Sequence, residues 1–356
     1  MPASSGNSRR RFIKRSALGV ASGLALPFIT PRAKAADDNV LIVNSWGGMF
    51  TELEKKHIFG PFTAETGIRV EIDTPVNFAK LKAQVESKNY LYDVSSLNSA
   101  TMSQALNAGL LEPLDWDVVD KRGTKNMFFG DHGVGFSVLT TTLSYRKDKF
   151  PNGGPKNWAD FFNVAKFPGP RSMGKRAYTT IAFALLASGV PRDKLYPFDM
   201  KRAFDMLARI RPSIKTWWEL GNESEELLRR GEVNMMSIWN ERPVNLIKAG
   251  VPVEIVWEGA EHVPGFYYAA KGTPRKKAAM RFLNFISRPE IQASFAAETY
   301  YAPTNPDAIK LMTPEQAKYM STKPETLALG FQPDADWLGK NIANIERQFI
   351  AWLAAG

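Results

Sequence analysis

Short β-branched runs alternate with helical stretches along most of this chain, and that alternation restricts its fold more than any other feature. Residues 40–44 form such a run, and Ser45-Trp46-Gly47-Gly48 turns the chain after it. Thr51 and Glu54 have capping-box spacing, which predicts a helix over 51–66 that Gly67 stops. A strand is predicted over 68–73, a helix over 78–87, a strand opening at 92–94 and a helix over 99–108. The pattern resumes with helices over 179–188, 198–210 and 223–230. Strands over 233–238 and 253–257 then flank a helix over 241–249, and helices over 276–287, 289–299 and 336–354 follow. Such alternation gives an α/β architecture with a parallel sheet covered by helices on both faces. Two stretches break the rule: 134–146 is long and β-rich with no helix partner, and 266–271 is short and aromatic. Both read as crossings between two lobes.

At 356 residues the chain has the length of two domains or one large one. Its formal charge of +10 first suggests nucleic acid. Seven basic residues and no acid lie in 1–35: Arg9, Arg10, Arg11, Lys14, Arg15, Arg32 and Lys34. Without them 39 basic residues face 36 acidic ones, a net of about +3, and a nucleic-acid partner is not expected. Ser8-Arg9-Arg10-Arg11-Phe12-Ile13-Lys14 fits the S-R-R-x-F-x-K pattern of twin-arginine signals. A short apolar stretch over 16–29, broken by Pro27, and small residues at Ala33 and Ala35 complete a leader cut after about Ala35. No cysteine follows, so no lipid anchor is expected; the mature chain is expected in the periplasm. The absence of any cysteine also excludes thiol catalysis and thiolate metal sites.

No catalytic constellation emerges. His57, His132 and His262 have no metal-ligand spacing, and neither H-E-x-x-H nor G-x-S-x-G occurs. Gly130-Asp131-His132-Gly133-Val134-Gly135 leads into a strand rather than a helix, so it reads as a turn and not a phosphate cradle. No cofactor motif is present. Aromatic residues instead gather at strand ends: Trp46, Trp239, Trp257, and the doublets Tyr267-Tyr268 and Tyr300-Tyr301. Ligands of open α/β sheets bind at the carboxyl ends of strands, where an aromatic ring packs aliphatic groups or faces a cation. Trp239-Asn240-Glu241-Arg242 places an indole, an amide, an acid and a base in one run at such an end.

These residues also carry a resemblance. Gly231-Glu232-Val233-Asn234, Ile238-Trp239-Asn240, Ala249-Gly250-Val251-Pro252-Val253 and Val256-Trp257 resemble the periplasmic spermidine/putrescine-binding proteins. So do 282–290, Ala297-Glu298-Thr299, Pro303-Thr304 and, near the front, 62–70; the likeness spans nearly all of 40–312. It implies a type II periplasmic binding fold, two α/β lobes joined by crossing strands with a ligand cleft between. The expected division is 36–140 with 266–310 as lobe 1, and 141–265 with 311–356 as lobe 2. It further implies a monomer that delivers its ligand to an inner-membrane ABC permease and is not an enzyme.

Trp46 and Trp239 match the family's cleft tryptophans. Its amine-binding acids fall instead on Arg176 and Thr179, and a third near Pro264-Gly265 is expected to be replaced. A pocket that gains a base in place of acids suits a carboxylate, with Glu241 or Glu219 left for an amine. The expected ligand is therefore a small amine-bearing acid, such as an ω-amino acid or related zwitterion. The expected binding set is Trp46, Asn98, Arg176, Trp239, Glu241, Arg242, Tyr267 and Tyr301. Three alternatives stay open: a true spermidine/putrescine binder, a ferric-ion binder using the tyrosine doublets, and a periplasmic enzyme using the same cleft.

Overall fold

The computed structural model describes residues 39–121 and 128–355, so the expected twin-arginine leader and expected cleavage site lie outside the described residues. Ten strands form one sheet: β1 (Val40–Asn44), β2 (Arg69–Asp73), β3 (Val94–Asn98), β4 (Phe128–Phe129), β5 (Gly133–Arg146), β6 (Arg171–Gly174), β7 (Ile214–Trp218), β8 (Met235–Trp239), β9 (Val253–Ala269) and β10 (Ala302–Pro303). The order is β2-β1-β3-β9-β5-β8-β6-β7, with β4 and β10 paired to β5. Two parallel blocks, β2-β1-β3 and β8-β6-β7, flank an antiparallel pair, β9 and β5.

That central pair is the device that joins the halves. β5 has 14 residues and β9 has 17, beyond the usual range of about 3–10. They pair from Val134↔Tyr267 to Arg146↔Val253. β3 takes only the far end of β9, from Asn98↔Gly265 to Val94↔Ala269, and β8 takes the far end of β5, from Thr141↔Trp239 to Tyr145↔Met235.

β9 corrects the sequence reading. The predicted strand over 253–257 and the predicted crossing over 266–271 are parts of one strand, so Trp257 lies within a strand and not at its end. Gly259, Pro264 and Gly265 disguise this. Gly259 has φ 72° and sits where the register slips between Thr141 and Leu143. Pro264 lies just past the β3 ladder, which ends at Gly265, so its missing N–H removes no bond on that side. The short strands β6 and β7 also escaped the sequence reading.

After β1, Gly47 and Gly48 adopt positive φ (92° and 58°), which bends the chain sharply into a helical run over 48–66. Thr51 is not its cap. Its hydroxyl lies inside the helix and accepts from the Gly47 N–H at 2.9 Å. Helix Ala177–Ala187 is apolar all round and correspondingly buried, with Phe183 stacked on Trp158 at 3.7 Å between ring centroids. The last helix, Ala335–Ala354, packs on both Ser99–Asn107 and Ala177–Ala187, and Ser103 donates to Asp336 at 2.9 Å.

Candidate functional site

A cavity of about 290 Å³ opens where both parallel blocks end, over the central pair. The pleat decides its floor. Successive side chains of a strand alternate faces, and Glu261, Val263, Gly265 and Tyr267 of β9 all line it, as do Ser137, Leu139 and Thr141 of β5. The carboxyl ends of β1, β3 and β8 add Trp46, Asn98 and Trp239, and the chain after β6 adds Arg176.

Six residues of the expected set line this cavity: Trp46, Asn98, Arg176, Trp239, Tyr267 and Tyr301. Trp46 keeps 48% of its surface exposed and is held by one bond, from its indole N–H to Ser96 at 3.0 Å. Asn98 also has a structural task. Its side-chain oxygen caps helix Ser99–Asn107, accepting from the Thr101 N–H at 3.0 Å. Arg176 lies with its guanidinium 4.6 Å from the centroid of Trp239, and Trp239 meets Trp218 edge-on at 5.1 Å.

Glu241 and Arg242 are placed behind the wall rather than in it. The Tyr301 hydroxyl donates to Glu241 at 3.4 Å, and Arg242 donates to Glu241 at 3.1 Å and to Glu225 at 3.3 Å. Burial pushes the Glu241 carboxyl up to about 7, partly offset by the Arg242 charge. Asn240 holds the N-cap position of helix Glu241–Lys248, but its side chain makes no cap bond there and does not line the cavity. Buried, it donates to the Tyr300 carbonyl at 2.9 Å and accepts from the Thr140 N–H at 3.2 Å, fastening β8 to its neighbours. Glu219 is on the surface, paired with Lys175 at 2.9 Å.

The sequence reading missed two acids. Glu261 is buried, lines the cavity, and accepts from Thr179 at 2.7 Å through Oε2, while Oε1 has no partner. Burial raises its carboxyl to about 7 against the bond from Thr179 and the charge of Arg176. The expected loss of an acid near Pro264-Gly265 is thus corrected, because Glu261 supplies one three residues upstream. Glu54 is buried behind Tyr267, whose hydroxyl donates to it, and Ser45 donates to its other oxygen. Burial also raises Glu54 to about 7. The alternation of β9 was the available signal for Glu261, because residue 261 shares a face with Tyr267.

The tyrosine doublets divide. Tyr268 is hydrogen-bonded to Tyr92 at 3.2 Å on the other face of β9, and Tyr300 accepts from Lys248 at 2.6 Å. Each doublet therefore offers the cavity one phenol, and burial holds both Tyr267 and Tyr301 well above the ordinary phenol range. No cluster of three or more His, Asp or Glu with metal-site geometry occurs among the described residues. The cavity thus combines aromatic walls, one guanidinium and one half-satisfied buried carboxylate.

The chain is similar to known proteins over most of its length. The sequence pattern of the bacterial extracellular solute-binding proteins matches residues 57–324. The gamma-aminobutyric acid-binding protein of Pseudomonas aeruginosa is 32% identical over 332 residues, covering 90% of this chain and 93% of that one. The spermidine/putrescine-binding periplasmic protein of Escherichia coli is 25% identical over 307 residues, covering 82% and 85%. A solved structure of a GABA receptor superposes with a TM-score of 0.83 at 36% identity, covering 88% of this chain and 97% of that one. The architecture is accordingly the two-lobed α/β fold of periplasmic binding proteins, with β5 and β9 as the crossing strands. The chain belongs to the bacterial extracellular solute-binding protein family.

Proposed function

We propose that this protein is the periplasmic ligand-capturing component of an ABC importer and that it takes a short ω-amino acid of the γ-aminobutyrate type. The observation that carries the reading is the presence of both Arg176 and Glu261 in the lining of one cavity. The ligand carboxylate takes the planar fork of Arg176, and its ammonium takes the unpartnered oxygen of Glu261. The methylene chain lies among Trp46, Tyr178 and Tyr267. The similarity to a gamma-aminobutyric acid-binding protein supports this choice.

A ligand touching both blocks favours the closed arrangement of two lobes, so capture is a population shift about the crossing strands. The lobes divide as 36–140 with 266–310, and 141–265 with 311–356. Export through the twin-arginine route, cleavage after about Ala35, an inner-membrane permease as partner and a monomeric state complete the proposal. A polyamine reading draws on the three buried glutamates, Glu54, Glu241 and Glu261; the charge of Arg176 opposes it.

Isothermal titration of the purified protein with γ-aminobutyrate, putrescine, spermidine and succinate tests the reading. Micromolar binding of γ-aminobutyrate, about −8 kcal/mol, is expected, with the other three much weaker. Tighter binding of putrescine or spermidine overturns it.

A further inference from the structure

The last helix, Ala335–Ala354, is tied very differently to the two halves of the molecule. Toward the second block its aromatic side chains interlock. Trp337 packs on Tyr196 and Phe198 at 5.4 and 5.1 Å between ring centroids, and Trp352 packs on Phe204 and Trp217 at 5.8 and 5.9 Å. Arg211 donates to the Trp352 and Leu353 carbonyls at 3.1 and 2.7 Å. Large rings and two charge-assisted bonds fix the helix to that block.

Toward the first block the contact is light. Helix Ser99–Asn107 meets the last helix through small residues, Ala100 and Ser103 on one side and Gly339 on the other. Among the described residues, Ala100 is the one residue before Leu143 in the buried apolar cluster around Leu338 and Phe349. The buried Ser103 hydroxyl donates to the exposed Asp336 at 2.9 Å. Glycine weakens a helix interior, so its presence at 339 needs a reason. A methyl group there would lie 3.0 Å from the Ser103 Cβ and 3.2 Å from the Ala100 carbonyl oxygen. The two helices touch almost backbone to backbone at this point.

Position gives the contact its leverage. Helix Ser99–Asn107 starts directly after Asn98, and helix Ala177–Ala187, on which the last helix also packs, starts directly after Arg176. Asn98 and Arg176 both line the cavity. A change of angle between the blocks moves one of these helices against the other. The last helix travels with the second block, so the motion is taken up where it meets Ala100 and Ser103. Small surfaces part or slide there with little apolar area exposed.

We propose that the last helix is a clasp: Ser103, Asp336 and Gly339 meet when the lobes close and part when they open, and so set ligand affinity without touching the ligand. The inference rests on the preceding reading in taking capture as closure of two lobes, and not on the identity of the ligand. Apparent affinity scales with the population of the closed state. A bond made only in that state is therefore felt in binding and not in the stability of the unliganded fold.

The chain has no cysteine, so Ser103→Cys places a single thiol beneath the last helix. Its labelling by a maleimide in the unliganded protein is compared with that of Ser224→Cys, comparably buried in helix Gly221–Arg229. Ser103→Cys is expected to react at least about tenfold faster, because local opening exposes it and only unfolding exposes the control. Equal rates overturn the proposal. No ligand enters this comparison, so it decides the proposal even if wild type fails to bind γ-aminobutyrate, the result that sinks the preceding reading instead.

Calorimetric titration with γ-aminobutyrate supplies the second test. Asp336→Ala is expected to bind about tenfold more weakly, the scale of one hydrogen bond to a charged group, and Asp336→Asn, which keeps an acceptor, within about twofold of wild type. Gly339→Ala wedges the closed contact and is expected to weaken binding by about tenfold, while its unliganded melting temperature holds or rises because alanine is the better helix former. A lower melting temperature with unchanged affinity in either alanine variant makes the contact permanent packing and overturns the proposal.

Discussion

Thr179 donates its hydroxyl to one oxygen of Glu261 at 2.7 Å, and the other oxygen of that buried carboxylate is left without a partner at the cavity. A carboxylate held in this way is oriented but not neutralised. Arg176 acts on it electrostatically, and the nearby phenols Tyr178 and Tyr196 stay neutral because burial raises them far above their ordinary range. The free oxygen can accept a further hydrogen bond from a donor in the cavity.

The first prediction concerns pH. Burial lifts Glu54, Glu241 and Glu261 from 4.5 to about 7. The unfolded chain releases these protons near 4.5, whereas the unliganded native state keeps them until about 7. The native state therefore binds more protons between those values, and its stability falls as pH rises through that window. Melting temperature of the unliganded protein is expected to decline from pH 5 to pH 8. Affinity for an ω-amino acid runs the other way, because its ammonium needs Glu261 ionised. It rises by up to about tenfold per pH unit below 7, with one proton released. Titrations in two buffers of different ionisation enthalpy measure that proton, and a flat profile assigns the amine elsewhere.

Glu261→Gln separates charge from shape. The amide still accepts from Thr179 but offers no charge to an ammonium. Affinity for γ-aminobutyrate is expected to fall about 100-fold, while the unliganded protein at pH 8 gains about 1–3 kcal/mol from losing a buried, half-satisfied anion. Calorimetry and denaturant titration read the two effects. Unchanged affinity would remove Glu261 from the site.

Trp46 has few ties to the fold: one side-chain bond, to Ser96, holds it and about half of it faces solvent. Trp46→Ala is expected to cost about tenfold in ligand affinity and to leave stability within about 0.5 kcal/mol. A large stability loss on chemical denaturation would make it a packing residue.

Asn240 gives the opposite expectation. Its amide fastens the Thr140 N–H and the Tyr300 carbonyl, both buried. Asn240→Ala orphans both, and a loss of about 2–4 kcal/mol follows. Ligand affinity changes little once the variant is folded, because the side chain does not line the cavity.

The sequence showed β1, β2, β3 and β8 because a helix follows each of them directly, whereas β6 and β7 are short and escaped it. Trp46, Asn98 and Trp239 were legible for the same reason: each follows or ends a strand whose carboxyl end is easy to find. β9 was not, because a glycine with positive φ, a proline and another glycine interrupt what the hydrogen bonds make one strand. Reading 259–265 as a break concealed the pleat that aims Glu261 beside Tyr267. Glu54 was hidden differently. It lies in a helix, where an acid normally faces water, and only the fold puts Ser45 and Tyr267 against it. No local pattern encodes the meeting of Glu54 with Tyr267, 213 residues further on.

The shared central strands also set the order in which this molecule comes into existence. β3 is complete at Asn98, yet its neighbour toward the middle of the sheet, the end of β9, is Gly265–Ala269. About 170 residues of synthesis separate them, roughly 10–30 seconds at 5–20 residues per second. Through that interval the nascent sheet presents a bare edge able to recruit any extended chain nearby. The second block is equally late, since β8 must find β5 from about 90 residues downstream. Neither half can be finished before most of the polypeptide has left the ribosome. The newborn chain consequently passes through a long vulnerable infancy, in which a holding chaperone has its best claim on it.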